Sequence, residues 1–381
     1  MLPERAEVVV IGGGVMGTSI AFHLAEAGVD VCLLERNELA SGSTSRAAGG
    51  FRAQFSDPLN IAIGLRSIEA FTQFANRPGG EIDLAQVGYL FLLDRDEDVA
   101  DFEQSVALQN GLGVPSRFVP LDEVEQLCPL AGLDGVLAAT HCPLDGHASP
   151  EAVVQGYAAG ARRRGASVLT RCGVTGIESS GGEIVAVSTD AGAVVTGVVV
   201  CAAGVWSPAL AGMVGVDLPV QPVLREVGFT GPADGLPDRV PLTIDFSTGF
   251  YFHREGPGLL FGMADRDQPP GFEEPLSPGW LERVIEVAQR RLPRLLDMGV
   301  AGGWQGFYEV TPDHNALVGE AREVSRFLYA TGFSGHGFLQ APAVGEIVRD
   351  LVLRREPFVD VGPLSAERFA RSAPRPEHNV I

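Results

Sequence analysis

Residues 7–35 read EVVVIGGGVMGTSIAFHLAEAGVDVCLLE, and this stretch decides the fold. Glu7 to Ile11 is a short apolar run of buried-strand type, and Gly12 to Gly17 is a glycine-rich turn. Val15 to Ala27 has the length and composition of an apolar helix that ends at Gly28, and Asp30 to Leu34 is a second strand. The turn matches G-x-G-x-x-G. Gly12 permits the tight turn, Gly14 lets backbone approach a pyrophosphate, and Gly17 lets the helix pack close to the sheet. The helix N-terminus then offers free N–H groups and a dipole to the phosphates. Glu35, at the end of the second strand, is placed to accept hydrogen bonds from a ribose, and its charge opposes a 2′-phosphate. The motif indicates a dinucleotide and leaves open which one.

Outward from this unit, Leu59 to Asn76 has helical periodicity and Val87 to Leu93 reads as a strand. Ser149-Pro150-Glu151 is a helix start, with a serine cap, a proline in the first turn and an acid at the positive end, and the helix runs to about Arg164. Strands follow at 167–170, 173–178, 184–189 and 194–201. Longer alternating strands between Leu218 and Gly262 suggest an antiparallel sheet. Ser277-Pro278 opens a helix through Arg291, and a strand at 327–330 precedes a helix from about Ala341 to Arg354. The proline- and charge-rich last ten residues read as a loose tail.

Composition narrows the function. The chain has 381 residues, 45% of them hydrophobic, and a formal charge of −20. So acidic a surface argues against nucleic acid and anionic lipid as partners. No run approaches the ~18 apolar residues of a membrane span, and the N-terminus lacks a signal-peptide core, so a cytoplasmic location is expected. Cys32, Cys128, Cys142, Cys172 and Cys201 are scattered without a CxxC pair, which supports neither a disulfide framework nor a zinc site. No metal is expected.

Further stretches carry a family resemblance. Ser41–Arg52 (SGSTSRAAGGFR) resembles the second flavin loop of the glycine oxidase, sarcosine oxidase and D-amino-acid oxidase superfamily. Val198–Pro208 (VVVCAAGVWSP) looks like its strand and turn beside the cofactor, and Asp145–Tyr157 like its middle helix start. Tyr308–Asn315 (YEVTPDHN) and Thr331–Gly345 (TGFSGHGFLQAPAVG) closely resemble the beta subunit of heterotetrameric sarcosine oxidase and dye-linked L-proline dehydrogenase.

The resemblance implies an α/β FAD-binding domain of Rossmann type, with a parallel sheet, over residues 1–80, 147–215 and 320–381. An inserted α+β substrate domain with an antiparallel sheet would occupy 81–146 and 216–319. It places FAD contacts at Gly12, Gly14, Val15, Met16 and Gly17; at Glu35 and Arg36; and at Ser43, Thr44, Arg46, Ala48, Gly49 and Gly50. Further contacts fall at Val174, at Ala203, Gly204 and Trp206, and at Gly335, His336, Gly337, Phe338, Leu339 and Gln340. Arg52, Tyr251, Tyr308 and Leu339 are the substrate-binding candidates, with Arg225 a weaker one.

The implied reaction is oxidation of the C–N bond of a small amine or amino acid, with a secondary or N-methyl amino acid favoured. Hydride passes to flavin and the imine is hydrolysed. The flavin performs the redox step, so no side chain is assigned a catalytic role. The family's flavin-linking cysteine and histidines fall at Gly306, Arg46 and Pro150, which implies noncovalent FAD. Its substrate-carboxylate lysine and arginine fall at Leu339 and Phe55, and its oxygen-activating lysine at Leu260. Oxygen and a protein or quinone acceptor therefore both stay open, as do partner subunits or a homo-oligomer. The alternatives are a non-catalytic or electron-transfer flavoprotein subunit or assembly factor and, less favoured, an NAD-dependent dehydrogenase. His147, Asp145 and Asp313 read as loop or capping residues, and His253 reads equally as structural or catalytic. His23, Arg162 to Arg164, Arg290 and Arg291 read as solvent-facing. Trp206, Trp280 and Trp304 read as packing anchors.

Overall fold

The structure, a computed structural model, describes residues 1–273, 275, 279–371 and 375–379. The opening unit forms as its pattern requires. Strand Val8–Ile11 leads through the glycine turn into helix Val15–Glu26 and parallel strand Val31–Leu34. The strands of one six-stranded sheet run in the order Leu317–Glu320, Phe327–Thr331, Val199–Cys201, Val8–Ile11, Val31–Leu34 and Ser167–Leu169. All pairings are parallel except that of Leu317–Glu320 with Phe327–Thr331. On one face lie helices Val15–Glu26, Pro150–Arg163 and Gly337–Val352, with Ile20, Phe22, Tyr157, Val344 and Ile347 in a shared core. The other face packs Val9, Ile11 and Cys32 against Ile177, Ile184, Val187 and Val194 of a three-stranded antiparallel sheet.

A second, eight-stranded sheet takes its strands from 89–142 and 221–310, in the order Gly302–Val310, Gln221–Phe229, Gly258–Met263, Phe250–Glu255, Leu242–Asp245, Tyr89–Leu93, Ala138–Cys142 and Arg117–Val119. Only Leu242–Asp245 with Tyr89–Leu93 is a parallel pair. Strand Tyr89–Leu93 shows why its sequence, YLFLL, is apolar throughout. Leu90 and Leu92 face helix Trp280–Arg291, while Tyr89, Phe91 and Leu93 face Phe102 of helix Asp96–Gly111. A strand covered on both faces has no reason to alternate.

Several expectations are corrected. Helix Asp96–Gly111 was not foreseen. The last long helix begins at Gly337, four residues ahead of Ala341, so it starts inside the GHGF segment. The 194–201 stretch divides, because only Val199–Cys201 joins the parallel sheet while Gly192–Val195 is antiparallel to Glu183–Thr189. The Ser277-Pro278 helix start lies outside the described residues; the helix itself spans Trp280–Arg291. The described part of the tail is packed, since buried Glu377 accepts from Ser56, Asp57 and Asn60.

His23 and Arg291 are not solvent-facing, with only 1% of each exposed. His23 sits where the first and last long helices meet, with Arg77 Nη2 3.1 Å from its Nδ1, and Gly345 passes so close that a Cβ there would lie 2.6 Å from the ring. Arg291 ties its helix to the large sheet, donating to Asp245 at 2.7 Å and Asp94 at 2.9 Å. Arg162, Arg163, Arg164 and Arg290 are exposed.

Candidate active site

One cavity of about 820 Å³ opens between the two large sheets, within the roughly 300–1,000 Å³ usual for ligand sites. One end is made of backbone. Gly12 has φ +115°, and a Cβ there would lie 2.4 Å from Ala202 O. A Cβ on Gly17 would lie 1.9 Å from Gly12 O, so the helix can start hard against the turn only with glycine. Gly17 is thus a packing residue and does not line the cavity. Glu35 closes the turn by accepting from the Gly13 amide at 2.7 Å. Thr44 Oγ1 accepts from Val15 N at 3.1 Å, and no residue at the N-cap position caps the helix.

The loop Ser41–Arg52 forms the next stretch of wall. Ser43 Oγ donates to Phe307 O at 2.7 Å and Arg46 Nη1 to Gln305 O at 2.8 Å, which fastens the loop to strand Gly302–Val310. Gly306 faces Arg46 directly, and a Cβ on Gly306 would lie 2.7 Å from Arg46 Cβ. These two neighbours are the positions where the resemblance would put flavin-attaching residues, and they hold a glycine and an arginine. Arg36 stacks on Trp206 at 4.1 Å, and both line the cavity with Val174, Ala203 and Gly204. His253 braces the loop from the large sheet, with Nε2 3.1 Å from Ala48 O and Nδ1 2.8 Å from Arg254 O. Its ring also lies 4.4 Å from that of His147. Both ring nitrogens thus lie against backbone carbonyls, one on its own strand and one on the loop.

Side chains build the other end. Arg52, Tyr89, Arg225, Leu242, Tyr251, Tyr308, His336 and Leu339 line it. Each of two tyrosines lies across a glycine: a Cβ on Gly262 would lie 2.4 Å from the Tyr251 hydroxyl, and one on Gly335 would lie 2.5 Å from the Tyr308 ring. Burial raises the pKa of both phenols, so they stay protonated donors. Arg52 is buried over the Phe55 ring at 4.1 Å and donates to the carbonyls of Gln54 and Asn379. Its Nη2 also lies 3.3 Å from His336 Nε2. Burial first, and then the Arg52 charge, hold His336 well below the usual histidine range and therefore neutral.

Arg225 Nη1 donates to Leu224 O and Asp265 O, each at 3.2 Å, but its buried Nε has no partner among the described residues. Tyr89, Arg225 and Glu309 belong to this cavity, and sequence reasoning placed none of Tyr89 or Glu309 there. Gln340 turns away from the cavity and donates to Asn60 at 3.2 Å. Phe55 and Leu260 are buried outside the lining. Asp145 does serve as a loop cap, accepting from Ala53 N and Gln54 Nε2, each at 2.9 Å, and burial pushes its carboxyl up to about 6.

A bare glycine wall, a helix N-terminus whose N-cap residue is glycine, with Glu35 beside it, and a long adjoining cavity fit FAD. The family model for FAD dependent oxidoreductases matches residues 7–351. The chain belongs to that family. It is 30% identical to mitochondrial dimethylglycine dehydrogenase of Mus musculus over 97% of this chain and 44% of that protein. It is 32% identical to glycine oxidase of Bacillus licheniformis, over 92% of this chain and 94% of that enzyme. The crystal structure of L-proline dehydrogenase from P. horikoshii superposes with a TM-score of 0.93 at 33% identity, covering 98% of this chain and all of that one. The chain thus spans less than half the length of the dimethylglycine dehydrogenases it matches. FAD, not NAD, is the family's cofactor, and the fold is its parallel-sheet FAD-binding fold with added antiparallel sheets. No helix among the described residues is long and apolar enough to cross a membrane.

Proposed function

We propose that this chain oxidises the CH–NH bond of a small amine or amino acid, with secondary or N-methyl amino acids favoured, using noncovalent FAD. The observation that carries the reading is the single cavity joining a glycine-walled dinucleotide end to an end walled by Tyr251, Tyr308, Arg52 and Arg225. In this reading residues 1–80, 147–215 and 320–381 hold the cofactor, and 81–146 and 216–319 cover the substrate. FAD, when bound, supplies the acceptor for the substrate's hydride.

The chain's own residues supply orientation and charge. The Tyr251 and Tyr308 hydroxyls are donors for a polar group on the substrate. The unpartnered Nε of Arg225 suits a carboxylate. Two guanidinium groups in one enclosed site disfavour an ammonium, so the amine binds in its neutral, hydride-donating form. Leu242, Phe338 and Leu339 are apolar wall that excludes water.

The acceptor we favour is a protein or quinone. Every one of the 28 cationic side chains is arginine, so the chain has no lysine to play the oxygen-activating role found in the resembling oxidases.

The test is anaerobic titration of the yellow protein with secondary, primary and N-methyl amino acids and with carboxylate-free amines. We expect bleaching by carboxylate-bearing secondary or N-methyl amines and slow recovery when air is admitted. A flavin that dithionite bleaches but no amine does would overturn the proposal and favour a non-catalytic flavoprotein subunit.

A further inference from the structure

Glu309 has no part in the chemistry above, yet it lines the cavity. Its carboxyl lies against three glycines. A Cβ on Gly204 would lie 3.7 Å from Oε2 and one on Gly337 3.6 Å from Oε1, while Gly332 N donates to Oε2 at 3.0 Å. No ion pair reaches it among the described residues. The titratable and charged groups on the surrounding elements are Arg225 and Glu226 on the paired strand Gln221–Phe229, Arg46 on the loop fastened to its strand, Cys201 and Tyr329 on the parallel strands, Tyr308 on its own strand and His336 ahead of helix Gly337–Val352. Across the strand pair it faces Pro222.

The hydrogen count around Thr331 is informative. Thr331 Oγ1 lies 2.8 Å from Glu309 Oε2 and 2.9 Å from Gly204 O, and a hydroxyl has one hydrogen. With Glu309 ionised, its Oε2 accepts from both Thr331 Oγ1 and Gly332 N, and only the Gly204 carbonyl goes without the Thr331 hydrogen. With Glu309 protonated, both become hydrogen bonds: the carboxyl donates to Thr331, and Thr331 donates to the Gly204 carbonyl. Burial raises the carboxyl's pKa while hydrogen bonds from Thr331, Gly332 and Phe333 oppose it, so the site accommodates either form.

We propose that Glu309 is a proton-holding residue of the cofactor cavity, which takes up a proton as the bound cofactor gains negative charge and so sets how the FAD reduction potential varies with pH. The physical reason is like-charge repulsion in an enclosed site, which favours a neutral carboxyl when negative charge builds up beside it. The balance closes. Two electrons and one proton leave the substrate C–H bond as hydride, the nitrogen lone pair completes the C=N bond, and a second proton passes from bulk solvent to Glu309. This inference rests on FAD binding and not on which amine is oxidised.

The test uses the holoprotein and Glu309→Gln, reduced at an electrode with mediators between pH 5.5 and 9, with no amine present. Wild type is expected to take up more protons per two electrons than Glu309→Gln over part of that range. Equal proton uptake in the two proteins would overturn the proposal. Should the variant fail to hold FAD, the reduced-minus-oxidised infrared spectrum of wild type decides. A protonated-carboxyl band gained on reduction supports Glu309 uptake, and no such band contradicts it. A protein that shows the proton uptake but is bleached by no amine would sink the functional reading and leave this one standing.

Discussion

At the glycine-loop end, the cavity wall is backbone from residues close together in sequence, and Glu35 secures it through the amide of Gly13. At the tyrosine end, the wall is side chains delivered by separate strands, with Tyr251 and Tyr308 resting on Gly262 and Gly335. The first kind of wall recognises what all dinucleotides share, and a short motif encodes it. The second, in the proposed function, recognises one substrate class, and it exists only after the large sheet has formed. Changes at the two ends should therefore separate cleanly: cofactor occupancy should fail at one end, and substrate handling at the other.

The largest expected effect lies beneath the substrate end. Arg291→Ala would leave Asp245, which is fully buried, without its cation. Loss of one partner of such a pair costs about 3–5 kcal/mol, measurable by urea unfolding of the holoprotein. A loss under 1 kcal/mol would show that the ion pair does not hold the helix to the sheet.

Next comes Gly12→Ala, which forces a Cβ to 2.4 Å from a backbone oxygen at φ +115°. We expect FAD affinity to fall about 100-fold, or ~2.7 kcal/mol, read by flavin stoichiometry after dialysis. Full retention of FAD would break the comparison at its glycine end.

Arg225→Met should raise KM for a carboxylate-bearing amine about 10- to 50-fold while leaving carboxylate-free amines and FAD content unchanged. An equal effect on both amine classes would remove Arg225 from carboxylate recognition. Tyr308→Phe should lower kcat/KM about tenfold, ~1.4 kcal/mol, with full FAD occupancy, and loss of FAD instead would place Tyr308 at the cofactor.

The smallest effect concerns pH. Burial, and then the charge of Arg77, hold His23 well below its ordinary pKa in the folded protein. As pH falls, the unfolded chain takes the proton first. The contribution to stability is full above about pH 6.5 and declines below it, at up to ~1.4 kcal/mol per pH unit. His23→Gln should flatten the stability profile between pH 5 and 6.5, and an unchanged slope would assign the acid sensitivity to other groups.

What the sequence made legible follows the same division. The strand–turn–helix of residues 7–35 was readable because its geometry is local and its glycines are obligatory. The GHGF segment was readable only through resemblance, and its helix start was misplaced because Gly335 and Gly337 look like a turn that precedes a helix. Arg291 reads as a surface arginine in the last turn of an amphipathic helix. Its burial depends on Asp94 and Asp245, which distant strands bring to it. His23 was misread because a helix covered by two others has no polar face to reveal which side is wet. Glu309 was missed because a lone acid in a strand carries no pattern, and only the folded chain sets it against Thr331 and Gly204.

The most direct measurement is anaerobic stopped-flow reduction of the bound flavin by an N-methyl or cyclic secondary amino acid, in wild type and in Tyr308→Phe. The account predicts one noncovalent FAD per chain in both, reduction in wild type and slower reduction in the variant. One FAD per chain in wild type with no reduction by any amine would contradict it.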